Sequence, residues 1–364
     1  MKAAVLREVG KPLAIEDVEI DKPGPLEVLI RTAAAGVCHS DLHFVDGLWP
    51  TQLPIILGHE SAGIVEQVGE LVRHVQPGDH VITCLSVFCG HCDHCLSGSP
   101  ARCGGRETDR SSTEPARLRR GEESIGQFAH LSSFAEQMLV HENAVVKIRE
   151  DMPLDKAALI GCGVMTGVGS VFRTAAVEPG STVAVIGCGG VGLSTINGAD
   201  LAGASRVIAV DVVPSKLELA RVFGATDVVN AKECDAVQAV KDLTSGGVHY
   251  SFEAIGLKQT AEQAWSMLRP GGTATIIGMI PFGIKIEITG HQLLAERKLQ
   301  GSSMGSNRFR IDMPRFVDFY LAGKLRLDDL LSAHIELPQV NEALQNLKTG
   351  EVARQVILFD GAEA

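Results

Sequence analysis

Thr182-Val183-Ala184-Val185-Ile186-Gly187-Cys188-Gly189-Gly190-Val191-Gly192 is the stretch that decides the fold. Its first half, apolar and rich in β-branched residues, reads as a buried strand. Its second half fits G-x-G-x-x-G and opens a helical stretch over 191–202. The pattern alone is weak, but its setting strengthens it. Arg206-Val207-Ile208-Ala209-Val210 reads as the next strand, and Asp211 ends it about 20 residues beyond the loop. Gly187 allows the tight turn, Gly189 lets backbone approach a pyrophosphate, and Gly192 lets helix and strand pack closely. Gly190 leads into the helix that Val191 begins, and its unpaired N–H groups face the phosphates. Asp211 accepts both ribose hydroxyls and repels a 2′-phosphate, so the loop predicts NAD in preference to NADP.

Working outward, apolar strands alternate with helical stretches across 164–303, with Thr273-Ala274-Thr275-Ile276-Ile277 as a further strand. That alternation predicts an α/β unit, a doubly wound parallel sheet covered on both faces. Residues 1–163 carry short β-like runs, such as Val28-Leu29-Ile30 and His80-Val81-Ile82, broken by turn signals such as Pro77-Gly78-Asp79. They predict an irregular, mostly β region. Residues 304–364 add a helix over 313–322 and a last strand, Gln355-Val356-Ile357-Leu358-Phe359. Between them, 104–126 is polar and densely charged, and reads as a long surface loop.

Composition narrows the function. The chain has 364 residues, 45% hydrophobic and 21% charged, which suits more than one folded core. A net charge of −11 argues against a nucleic-acid partner. No apolar run reaches the length of a bilayer span. Met1-Lys2-Ala3-Ala4-Val5-Leu6-Arg7-Glu8 reads as a first strand without a secretory core. Nine cysteines, four of them clustered, then favour metal over disulfides and a cytoplasmic setting.

Two sequence regions offer metal ligands. Cys38-His39-Ser40-Asp41-Leu42-His43 and Gly58-His59-Glu60 together supply a thiolate, imidazoles and carboxylates. Mixed sulfur and nitrogen ligation with one open position makes zinc a Lewis acid. Cys89, Cys92, Cys95 and Cys103 follow C-x2-C-x2-C-x7-C. Four thiolates in one loop close a tetrahedral shell, so this zinc is expected to be structural. The last gap is longer than in iron–sulfur ferredoxins, and no proline follows it.

These motifs, with Gly161-Cys162-Gly163, make the chain similar over essentially its whole length to the zinc-dependent alcohol dehydrogenases of the medium-chain dehydrogenase/reductase superfamily. The resemblance implies a GroES-like catalytic domain beside the Rossmann domain. It implies that Cys38, His59 and Cys162 hold a catalytic zinc, with Glu60 behind it and Asp41 orienting His59. Two zinc ions per chain follow. Ser40 and His43 match the family's proton relay. His39 and Arg354 match its pyrophosphate contacts, Lys216 a contact to the adenosine ribose, and Thr166 a neighbour of the nicotinamide. Trp49, Leu85, Met279 and Ile280 match positions in the wall of the substrate pocket, and they are bulky and apolar.

The implied activity is reversible hydride transfer between NAD and a primary alcohol or its aldehyde, aliphatic or aromatic. The alternatives are a thiol-adduct formaldehyde dehydrogenase or a secondary-alcohol or polyol enzyme of the same family. A non-enzymatic binding protein on the same fold, or a zinc hydrolase, would come from another class. The 104–126 segment resembles that of dimeric members, so a homodimer is expected, with a tetramer as the alternative.

Overall fold

The computed structural model describes residues 1–104, 106–349 and 353–359, with side chains at all of these except 106 and 349. Two compact units emerge, one of Met1–Cys162 with Arg308–Ala364, the other of Gly163–Asn307.

The second unit is built on six parallel strands. In chain order they are β1 (Thr182–Ile186), β2 (Arg206–Asp211), β3 (Asp227–Asn230), β4 (Val248–Glu253), β5 (Leu268–Ile276) and β6 (Lys298–Gly301). Their order in space is β3-β2-β1-β4-β5-β6. The strand order therefore reverses between β1 and β4, and the crevice beyond their carboxyl ends is where such sheets bind ligands. The core beneath combines Ile186, Ile208 and Val210 with Trp265 and Leu268. These strands read as apolar runs because helices cover both faces.

The first unit centres on a long strand, Glu27–Val37. Glu60–Val68 and Arg354–Leu358 both pair antiparallel to it. His80–Thr83 continues the sheet beyond Glu60–Val68. The tail thus returns, and Gln355 lies opposite Val37. Gly350-Glu351-Val352, just upstream of Arg354, lie outside the described residues.

Two sequence expectations need correction. The 104–126 segment is not one long loop. Leu118–Arg120 and Glu123–Ser124 form a hairpin that extends Glu19–Ile20 into a three-stranded sheet. Two arginines of the segment face inward: Arg110 Nη2 lies 2.6 Å from Glu27 and Arg117 Nε lies 2.7 Å from it. Alternating charge disguised this, since ion pairing leaves no hydrophobic period. Gly105 lies outside the described residues. Second, one helical run, Leu154–Thr174, is long and apolar enough to cross a membrane by length and composition. It is mostly buried inside the protein, as a core helix is. Short glycine-rich segments hid its continuity.

Candidate metal centres and dinucleotide loop

Cys38 ends the approach from the central strand and caps the helix His39–Val45. Asp41, in the first turn of that helix, fixes the surroundings. One carboxylate oxygen accepts the Cys38 N–H at 3.2 Å. The other accepts the Gly58 N–H at 3.0 Å and lies 3.1 Å from His59 Nδ1. One buried carboxylate thus ties both ligand-bearing segments together. The contact places the proton on His59 Nδ1 and leaves Nε2 as the metal-donor nitrogen. Nε2 is buried with no hydrogen-bond partner among the described residues.

Cys162 arrives from the core helix, within a π-helical turn, Ile160–Val164. Such a turn inserts an extra residue and redirects a side chain. Gly161 lets that turn pack tightly, since a Cβ there would sit 3.1 Å from the Thr83 carbonyl and 3.2 Å from the Ser61 nitrogen. The result is a buried cluster in which the ligand atoms of Cys38, His59 and Cys162 lie within 4.8 Å of one another. The Cys38 sulfur is drawn well below the usual thiol range. A hydrogen bond from Cys162 is the main cause, against burial, and the Arg354 charge adds to it. Cys162 moves the opposite way because it keeps the shared proton. Three buried donors, an orphaned imidazole nitrogen and a thiolate fit a zinc ion with one position left for substrate.

The quartet fits a closed site. A Zn–S length near 2.3 Å puts tetrahedral sulfurs about 3.8 Å apart. The Cys89–Cys95, Cys92–Cys95 and Cys92–Cys103 sulfurs are 3.9, 3.5 and 3.8 Å apart. The Cys89 and Cys92 N–H groups donate to Cys103 and Cys89 sulfurs. An N–H from His91 is the main influence drawing the Cys89 thiol down to about 6. The His91 ring itself is exposed and pairs with Glu107 at 2.5 Å.

In the second unit Gly187 has φ +95°, which other residues rarely adopt. A Cβ on Gly192 would lie 1.7 Å from the Gly187 carbonyl, so helix Gly190–Leu201 packs on β1 only with glycine there. A Cβ on Gly189 would meet nothing within 4 Å, which leaves room for a ligand over the backbone. Asp211 is pre-set: it accepts N–H bonds from Cys188 at 2.7 Å, Val212 at 2.7 Å and Val213 at 3.0 Å.

With this geometry in view, the comparisons are decisive. Residues 24–150 match the alcohol dehydrogenase GroES-like domain model, and 190–321 match the zinc-binding dehydrogenase model. The class-3 alcohol dehydrogenase of Zea mays is 41% identical over 368 residues, covering 98% of this chain and 96% of that one. The chain belongs to the zinc-dependent alcohol dehydrogenases of the medium-chain superfamily. Two solved structures agree. An alcohol dehydrogenase zinc-binding domain protein from Burkholderia ambifaria is 36% identical with TM-score 0.94, covering 98% of each chain. Benzyl alcohol dehydrogenase from Acinetobacter calcoaceticus is 33% identical with TM-score 0.93, covering 98% of this chain and 99% of that one.

Several family positions have their own surroundings in this dehydrogenase. Arg354 is buried, with Nε 3.4 Å from Glu60 and Nη2 3.7 Å from the Cys38 sulfur. Within the first unit it therefore lies beside the Cys38 donor. Its charge is held on despite burial by Glu60 and the thiols. His39 is exposed, while Ser40 and His43 are half-buried on the same short helix. His43 Nδ1 is buried without a hydrogen-bond partner among the described residues. Leu85 packs against the core around Val28, Ile30 and Val65. Trp49 lies 6.5 Å from Phe44 between ring centroids. Phe44 and Phe128 were missed by sequence reasoning. They pack edge to face at 4.6 Å, and the Phe128 ring lies 5.7 Å from the His59 ring. Phe128 carries no periodic signal, because it sits in a turn. Thr166 donates its hydroxyl to the Met304 sulfur at 3.4 Å. Lys216, Met279 and Ile280 are half-buried.

Proposed function

We propose that this dehydrogenase oxidises a primary alcohol, aliphatic or aromatic, to its aldehyde with NAD, and runs in reverse. The observation that carries this reading is the buried cluster of Cys38, His59 and Cys162 beside the edge-on rings of Phe44 and Phe128. Zinc would supply Lewis acidity there, and NAD would accept hydride. Cys38, His59 and Cys162 hold the metal, while Asp41 fixes the His59 tautomer. Ser40 takes the alcohol proton and His43 passes it to solvent. The 187–192 loop holds the pyrophosphate and Asp211 the ribose, with Lys216 and Thr166 as further contacts. We also assign one catalytic and one structural zinc to each chain.

An anionic thiol adduct needs free cationic side chains. Arg110, Arg117, Arg119 and Arg120 are all engaged with Asp21, Glu27, Glu19 or Glu16. That weighs against the thiol-dependent alternative. A homodimer is supported by the edge strand β6 and by exposed apolar residues near it in sequence, Leu294 at 90% and Leu293 at 51%. Nine cysteines, none in a disulfide, suit a reducing, cytoplasmic setting.

The test is a steady-state screen of primary, secondary and polyhydroxylated alcohols with NAD and NADP, with and without an added thiol such as glutathione. Highest kcat/KM on simple primary alcohols with NAD, unaffected by thiol, is expected. Thiol-dependent oxidation of formaldehyde as the dominant activity would replace this substrate reading.

A further inference from the structure

Gly36 and Glu60 face each other across two strands, Glu27–Val37 and Glu60–Val68. Each sits beside a metal donor in sequence: Gly36 lies two residues before Cys38, and Glu60 follows His59 directly. The three atoms nearest to a Cβ built on Gly36 all belong to Glu60. They are Oε1 at 2.7 Å and Cδ and Cγ at 2.9 Å each. The Glu60 side chain therefore lies flat in the recess left by the missing Cβ. Glycine weakens a strand interior, and a common reason to keep one there is close approach of another group. Glu60 is fully buried, so it has no route to solvent. In this rest position its carboxylate is 3.4 Å from Arg354 and is not among the three donors that cluster within 4.8 Å.

We propose that Gly36 is a positioning residue whose missing side chain parks the Glu60 carboxylate beside Arg354 and keeps the fourth metal position open for substrate. This rests on the metal reading of Cys38, His59 and Cys162. A methyl group at 36 closes the recess. The carboxylate is then pushed off the Gly36 strand toward Arg354, whose Nη2 lies 3.7 Å from the Cys38 sulfur. There it competes for the position an alcohol oxygen must take, because carboxylate oxygen is a competent zinc ligand.

The test uses the full chain with cobalt(II) in place of zinc, and imidazole as the probe of the open position. The quartet also takes cobalt, so Cys38→Ser provides the baseline for a difference spectrum of the buried site. Gly36→Ala should alter the cobalt d–d bands of that site and weaken imidazole binding about tenfold or more. Adding Glu60→Ala to Gly36→Ala should restore imidazole binding, since it removes the displaced carboxylate. A parent-like spectrum and imidazole affinity in Gly36→Ala overturn the proposal, as does failure of the second change to restore binding. If Gly36→Ala does not fold, a folded double variant that binds imidazole like the parent supports the proposal, and an unfolded one overturns it. Absence of any Cys38-dependent cobalt spectrum in the parent chain is a different failure, that of the metal site itself.

Discussion

The two cysteine sites share sulfur chemistry and differ in everything around it. The quartet comes from one short stretch, and its four sulfurs stand at half-buried positions supported by N–H groups of their own loop. The buried cluster draws Cys38, His59 and Cys162 from three separate elements and seals them from water. Four local thiolates satisfy a tetrahedral ion and leave nothing for chemistry. Three distant donors leave a position vacant, and burial keeps bulk water from competing for it. A local site is thus suited to holding a loop, and an assembled site to catalysis.

Breaking the assembled site should have the largest effect. Cys38→Ser should lower kcat by at least about a thousandfold, because the Lewis acid is lost. Elemental analysis of the same variant should still find the quartet's zinc. Loss of both ions would make the two sites one cooperative unit and end the comparison.

Asp41→Asn sharpens it. Asparagine keeps the shape but removes the charge that orients His59. Zinc affinity at the buried site should fall ~10–100-fold, read by competition with a chelator. The quartet, built from a separate stretch of chain, should keep its affinity.

Cys103→Ser probes the other side. One zinc should be lost and the Tm should drop by roughly 5–10 °C. Residual turnover per remaining zinc should stay near the parent value at low temperature. A collapse of kcat there would show that the quartet supports the catalytic donors.

The smallest effect concerns the segment that follows the quartet. Burial disfavours the Glu27 charge, but Arg110, the Gly24 N–H and Arg117 outweigh it, and the carboxyl is held below its usual range. A depressed carboxylate stabilises the fold above its unfolded value, near 4.3, and loses that contribution as pH falls through the folded value. Glu27→Gln should therefore lower Tm by about 2–4 °C at pH 7. The difference from the parent should shrink as pH is lowered from 5 toward 3. A constant difference across that range would assign the effect to packing.

Local spacing made much of this legible. The 187–192 loop, its flanking strands and Asp211 encode turn geometry and phosphate approach within one βαβ unit, where neighbours in sequence are neighbours in space. The quartet is legible for the same reason. The hairpin within 104–126 was not, because its order comes from arginines paired with Glu27 and Asp21, more than eighty residues away. Phe128 was hidden in the same way. Its place beside His59 depends on a turn that carries no period.

By itself, then, the sequence determined the chemistry available: thiols and imidazoles for zinc, glycines and an acid for a dinucleotide, apolar strands for a parallel sheet. Only the tertiary structure decided which donors meet. Arg354 reaches Cys38 because its strand pairs with Glu27–Val37, and Cys162 reaches it through a π-helical turn. Contacts between residues more than a hundred positions apart depend on strand pairing and helix packing across the whole unit. Spacing along the chain holds no record of them.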